Sequence, residues 1–169
     1  MLLPDDGKRH EIIEGDLFVT LSPITRHQLI IGRFLHRLTT YRETHPVGMV
    51  FTAPYDVVLS ETDIVQPDLL LALQTGRAVM TEKNLQGPPD LILEVLSPST
   101  AARDRELKRK RYEHFGVRKY WPIDPDANSL DMLALQDGHY AHVGRTIRPA
   151  ECASILRPDL VSDLGSLLQ

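Results

Sequence analysis

The stretch "PPDLILEVLSPST" at residues 88–100 constrains the fold more than any other, because it sets one carboxylate, Glu94, inside a run that reads as a buried strand. Leu91, Ile92 and Leu93 precede it, and Val95 and Leu96 follow. A charge in such a strand must be paired, hydrogen-bonded or bound to a cation, or the strand loses roughly several kcal/mol. What satisfies Glu94 therefore decides whether this chain is an enzyme.

The 169 residues suit a single domain spanning 1–169, long enough to close one real core. The apolar share of 42% and the charged share of 25% are those of an ordinary soluble globule. A net charge of −4 gives no global attraction to nucleic acid, although it leaves room for a local basic patch. The single cysteine, Cys152, excludes an internal disulfide and a multi-cysteine zinc site, and fits a reducing compartment. The start, "MLLPDDGKRHEII", lacks the basic and apolar segments of a secretory signal, and no run approaches the length of a spanning helix. The expectation is a cytoplasmic protein without a membrane partner.

Along the chain, "HEIIEGDLFVT" reads as two short strands around Glu14-Gly15-Asp16, with Gly15 supplying the turn. A helix is expected next, with Ser22 as N-cap and Pro23 at its first position, and with Ile24, Ile31, Phe34, Leu35 and Leu38 on one face. Strand regions follow at 47–59, interrupted by Pro54, and in "PDLLLAL", with a Gly- and Pro-bearing loop over 74–89. After the 91–96 strand, a charged helix is expected from about Ala101 to Phe115, ended by Gly116. "VRKYWPID" is a strand that Pro122 should shorten or place near an edge. A turn at Asp124–Asn128 then leads into "SLDMLAL", with "GHYAHV" as its hairpin partner and small terminal elements beyond.

Asp68, in "DIVQPDLLLAL", is a second carboxylate embedded in an apolar strand. Two clustered carboxylates in a low dielectric repel strongly unless a cation compensates them. Oxygen-only ligands favour Mg²⁺ or Mn²⁺ over zinc. The alternative is a pair of strand-end groups facing solvent. On the charged helix, Asp104, Lys108 and Tyr112 fall at i, i+4 and i+8, near one face. Residues 103–120 hold eight Lys or Arg against three Asp or Glu, a net +5, so the rest of the chain carries −9. Such a patch, with Arg105, Arg109 and Arg111, would attract a phosphodiester backbone, whereas its ordinary reading is a solvated helix face.

Other candidates carry less. Ser99 and Thr100 in "SPST" are better cast as helix caps than as nucleophiles, since no GxSxG elbow surrounds them. His27, early in the first helix, is more often a packing or surface residue than a ligand, and His10, His114, His139 and His142 form no metal-binding spacing. Trp121 and Tyr120 suit sheet core or a subunit contact. The glycines form neither a P-loop nor a dinucleotide fingerprint.

Four motifs nevertheless occur in order: "PD" at 67–68, "PPDLILEVLSPST", a D-x-x-x-K-x-x-x-Y helix, and "GVRKYWPIDP". Together with the opening "HEIIEGDLFVTLSPITRHQLI", they resemble, over nearly the full chain, restriction endonuclease-type domains of unknown function abundant in cyanobacteria. These belong to the PD-(D/E)xK nuclease superfamily. The resemblance implies an α/β restriction-endonuclease-like fold, a mixed central β-sheet flanked by helices. It implies that Asp68 is the acid of the PD motif and Glu94 the second acid, together holding Mg²⁺ or Mn²⁺ against a scissile phosphate. The usual lysine two residues after that acid is absent, since position 96 is Leu, and Lys108 on the next helix matches its replacement. Glu11 matches the early acid of many superfamily members, Asp104 would hold the lysine, and Tyr112 would pack or hydrogen-bond near it. Lys119 and Pro122 depart from the family pattern, where an acid and an aliphatic residue are usual.

Two functions follow. One is a metal-dependent endonuclease hydrolysing DNA phosphodiester bonds, with a homodimer as the arrangement many double-strand cutters need. The other is a catalytically inactive nucleic-acid-binding or protein-interaction module on the same fold. Retention of Asp68, Glu94 and Lys108 favours the first.

Overall fold

Period-two alternation along the buried strands divides their side chains between two cores. In the computed structural model, which describes residues 8–20, 23–46, 48–96, 104–146, 151–152 and 162–163, the chain opens with a hairpin of β1 (Arg9–Ile13) and β2 (Asp16–Thr20). Glu14 and Gly15 turn it with positive φ of 55° and 87°, the region that glycine adopts at no steric cost. Helix α1 spans Thr25–Thr44. It is followed by β3 (Gly48–Thr52), β4 (Val57–Ser60), β5 (Asp63–Val65) and β6 (Leu69–Leu73). The expected 74–89 loop carries two short strands, β7 (Val79–Met80) and β8 (Leu85–Gln86).

The apolar stretch of the opening motif is β9 (Leu91–Val95). A π-helical turn, Asp104–Lys108, runs into helix α2 (Arg109–Phe115). Strands β10 (Lys119–Asp124), β11 (Ser129–Gln136) and β12 (His139–Thr146) follow, with the short pair β13 (Glu151–Cys152) and β14 (Ser162–Asp163). One sheet has the order β2-β1-β5-β4-β8-β7 and the second β12-β11-β10-β9-β6-β3. The second sheet is mixed, since β9 and β10 run parallel and the other neighbours antiparallel.

Alternation along β6 and β9 explains the site. Leu69, Leu71, Leu91, Leu93 and Val95 face α1, packing on its buried stripe of Ile30, Ile31, Phe34 and Leu38. Leu70, Ala72 and Ile92 point to the opposite side, into a core shared with Ile13, Val57 and Leu85 of the first sheet and Tyr112 of α2. Glu94 shares the parity of Ile92, and Glu11 that of Ile13, so both carboxylates enter the space between the two sheets. The β6–β9 register pairs Leu69 with Leu93, and its next step sets Asp68 across from Glu94.

Three local expectations are corrected. Helix α1 begins at Thr25 with Ile24 as the capping residue, without a side-chain cap, and Ile24 is exposed instead of joining the core stripe. The proposed cap Ser22 lies outside the described residues, as do Ser99 and Thr100. Pro122 sits in an interior strand between β9 and β11, and not at an edge. The β10–β11 register passes from Tyr120–Leu133 to Ile123–Leu130, so the pairing is interrupted where Pro122 offers no N–H. Gly116 does end α2, with φ of 78° and with the Val117 amide donating to Tyr112 O at 2.9 Å.

Because Leu93 is fully buried beside Glu94, Leu93→Ala should cost about 2–5 kcal/mol, whereas Val79→Thr on the exposed β7 should stay within about 0.5 kcal/mol. Urea unfolding with an unchanged m-value for both variants checks this.

Candidate active site

Glu94 answers its burial with two donors from one helix. Lys108 Nζ donates to Glu94 Oε1 at 3.0 Å, and Tyr112 OH donates to the same oxygen at 2.8 Å. The four-residue spacing of Lys108 and Tyr112 brings both to one carboxylate. Lys108 is itself 2% exposed and also pairs with Glu11 Oε1 at 2.9 Å, so one ammonium bridges a carboxylate from each sheet. Glu11 Oε1 further accepts the Gln66 amide at 2.9 Å. Burial pushes the Tyr112 hydroxyl well up, and the neighbouring Glu94 and Glu11 charges push it further, so Tyr112 remains a donor.

Asp68 stands at the end of the same cluster, just before β6. The Val95 amide donates to its Oδ2 at 2.8 Å, His27 Nε2 lies 2.9 Å from that oxygen, and Arg9 Nη1 pairs with Oδ1 at 2.7 Å. The second guanidinium nitrogen, Nη2, donates to the carbonyl of Gln66. An ionised carboxylate only accepts, so the His27 proton here is on Nε2. Burial alone would raise the Asp68 pKa. The His27 hydrogen bond, the Arg9 and His27 charges and the Val95 amide outweigh it and hold the carboxyl well below the usual carboxylate range.

The structure thus brings together Asp68, Glu94, Lys108, Glu11 and Tyr112. Of the supporting candidates, Asp104 belongs to the π-helical turn, and its side chain and that of Arg105 lie outside the described residues. Arg111 is held in the fold: its guanidinium pairs with buried Asp63 through two hydrogen bonds of 2.8 Å and with Glu14 at 3.0 Å. This fork fastens α2 to β5 and to the β1–β2 turn. Arg109 is half-buried on the same helix.

Arg9 is a site residue that sequence reasoning did not single out, and His27 one that it set aside as a packing or surface residue. Arg9 shares the parity of Glu11 on β1, so period-two alternation was the available signal. His27 lies three and four residues before Ile30 and Ile31 on the buried stripe of α1, a polar residue on an apolar face.

The donor set is hard and oxygen-rich, three buried carboxylates with one imidazole nearby, and by that chemistry fits Mg²⁺ or Mn²⁺. In the arrangement described, two cationic side chains stand among the carboxylates. Among the described residues, no three His, Cys, Asp or Glu side chains are set to hold a metal ion. No helix among these residues is long and apolar enough to cross a membrane.

A family profile, Uma2, described as "Putative restriction endonuclease", matches residues 1–160. A crystal structure of a protein from Anabaena variabilis, described as a putative nuclease belonging to DUF820, superposes with a TM-score of 0.77. The two chains are 19% identical, and the match covers 99% of this chain and 95% of the other. That likeness establishes the fold, a mixed α/β architecture shared along nearly the full length of both chains. No curated protein matches the sequence.

Lys108→Met should destabilise by about 3–5 kcal/mol, since it leaves Glu11 and Glu94 buried against each other. Adding Glu94→Gln should recover part of that loss in a double-mutant cycle followed by urea unfolding. Asp68 should also set an acid limb. Its folded pKa is depressed, so its stabilisation is complete above the unfolded value of about 4 and is lost as pH falls through the folded value. Unfolding free energies measured downward from about pH 5 should therefore fall less steeply in Asp68→Asn than in wild type.

Proposed function

The chain belongs to the Uma2 family, and on that premise we propose that it is a divalent-metal-dependent endonuclease that hydrolyses DNA phosphodiester bonds. The observation that carries this reading is the convergence of Asp68, Glu94 and Glu11 with Lys108 in one buried cluster drawn from both sheets and a helix. Three buried carboxylates are costly to assemble, because their repulsion must be compensated at every point, and a divalent-metal site supplies a reason for that cost beyond fixing the register.

Asp68 and Glu94 would hold the ion, with Glu11 completing the acidic side. Bound there, Mg²⁺ or Mn²⁺ would supply Lewis-acid polarisation of a phosphoryl oxygen and of the attacking water. The remaining work falls to the chain's own groups. Lys108, fixed between Glu11 and Glu94, would offset negative charge developing on the phosphoryl oxygens. Tyr112 holds Glu94 in one rotamer by its hydroxyl, and Val95 N–H with His27 does the same for Asp68. Such fixed dipoles cost no reorganisation as charge develops.

Phosphate attraction along the strand would come from the basic excess of residues 103–120, a net +5. Lys110 is largely exposed there, with only a 3.9 Å contact to Glu106, and Arg109 flanks it. Arg111 is paired with Asp63 and Glu14, which reduces the charge it would offer to that surface.

Nicking of supercoiled plasmid in Mn²⁺ should be abolished or reduced by at least about 10²-fold in Glu94→Gln and in Lys108→Met, each compared under conditions where circular dichroism shows it folded. Undiminished cleavage by both variants would assign the activity elsewhere. Absence of both cleavage and Mn²⁺ binding in the wild type would favour the non-catalytic binding module.

A further inference from the structure

Arg9 is the one side chain of the cluster whose placement the nuclease reading leaves unexplained. It enters from β1, pairs with Asp68 Oδ1 at 2.7 Å and reaches the Gln66 carbonyl with its second nitrogen. Its Nε is buried and has no hydrogen-bond partner among the described residues. Burial lowers the pKa of this guanidinium, but the charges of Asp68, Glu94 and Glu11, acting together, raise it above its ordinary value. All three acids of the cluster therefore act on this one cation.

A guanidinium locked for structure alone would satisfy its whole fork, as Arg111 does on Asp63. Arg9 satisfies two nitrogens and leaves the third buried without a partner among the described residues, which is unfavourable. Its side chain is 16% exposed, against 4% for Asp68, so it sits on the solvent side of the carboxylate it covers.

Charge favours an exchange. Among the described residues, three carboxylates face Arg9 and Lys108, with His27 beside Asp68, so the cluster carries one net negative charge when His27 is neutral and none when it is charged. Replacing Arg9 by a divalent ion then gives zero or one positive charge. Keeping both gives one positive charge more in either state, which a low dielectric penalises.

We propose that Arg9 is an internal counter-ion that occupies Asp68 in the ion-free protein and leaves it when a divalent cation enters. The inference rests on the metal-dependent reading of this site and adds its regulation: ion affinity is set by competition with the protein's own arginine. The arginine keeps the acid cluster folded without metal, and it lowers apparent affinity by the fraction of time it holds Asp68.

Calorimetric titration with Mn²⁺ alone, at constant ionic strength, tests this on wild type, Arg9→Gln and Arg9→Lys, with Glu94→Ala as the site control. Arg9→Gln should bind at least about tenfold tighter than wild type, and Arg9→Lys should fall between them, because lysine keeps the charge but not the fork. The Mn²⁺-induced rise in Tm should be larger in Arg9→Gln than in wild type. A role confined to positioning Asp68 would move affinity the opposite way.

Equal or weaker binding by Arg9→Gln, where the wild type binds, overturns the exchange and leaves the nuclease reading standing. Binding by neither overturns both. If Arg9→Gln does not fold without metal, Arg9→Lys decides, and affinity no higher than wild type then rejects the exchange.

Discussion

The ammonium of Lys108 is shared between Glu11 and Glu94, and the rest of the arrangement depends on that sharing. Glu11 belongs to one sheet and Glu94 to the other, while Lys108 arrives from the turn that begins α2. Either carboxylate alone would be a liability in its strand, and the two together would repel. One cation at 2.9 and 3.0 Å turns both into a link between the sheets. Apolar residues of similar volume would stabilise such a junction as well or better. Its value is positional, since only one register of β9 against β6 and one seating of α2 satisfies every group.

The pairing of Arg111 with Asp63 works on the same helix from its other side. Asp63 is fully buried, and its carboxylate takes both the fork of Arg111 and the hydroxyl of Ser60. Arg111 also stacks over the Phe115 ring at 5.0 Å, which fixes its stem. With Gly116 ending the helix and Tyr112 packed edge-on against Tyr120, α2 is held at three points around the residue that delivers Lys108. Precision in the placement of one buried ammonium thus comes from contacts that are themselves outside the acid cluster.

Much of this was legible in the chain because period two and period 3.6 are rigid rules. Glu94 and Asp68 stood out as charges inside apolar runs, and Lys108 with Tyr112 as a four-residue pair on one helix. The matching of motifs added Glu11. Arg9 was passed over and His27 set aside because their local signals are weak: each reads as an ordinary polar residue until another element supplies its partner, 59 residues away for Arg9 and 41 for His27. The pairing of Arg111 was likewise not legible, since its acidic partners Asp63 and Glu14 lie far away in sequence. The position of Pro122 misled for a backbone reason. A missing N–H excludes a residue from an interior strand only if the ladder needs it there, and here the β10–β11 pairing is interrupted.

The origin of the lysine has a consequence for folding. At position 96, two residues beyond the strand acid, the chain places Leu96, buried and donating its amide to Ile123 O at 2.8 Å. A lysine there would be set by the same strand that carries Glu94, and acid and base would arrive together. Supplying it from Lys108 separates them, so β9 can pair with β6 and β10 before its carboxylate has a cation. Until α2 docks, Glu94 is a charge entering a forming core, which opposes closure of the two sheets. Docking removes that cost at Glu11 and Glu94 together. Seating of the helix and completion of the acid cluster are therefore one cooperative event, and the buried charged groups of the cluster are the same groups that lock the tertiary structure.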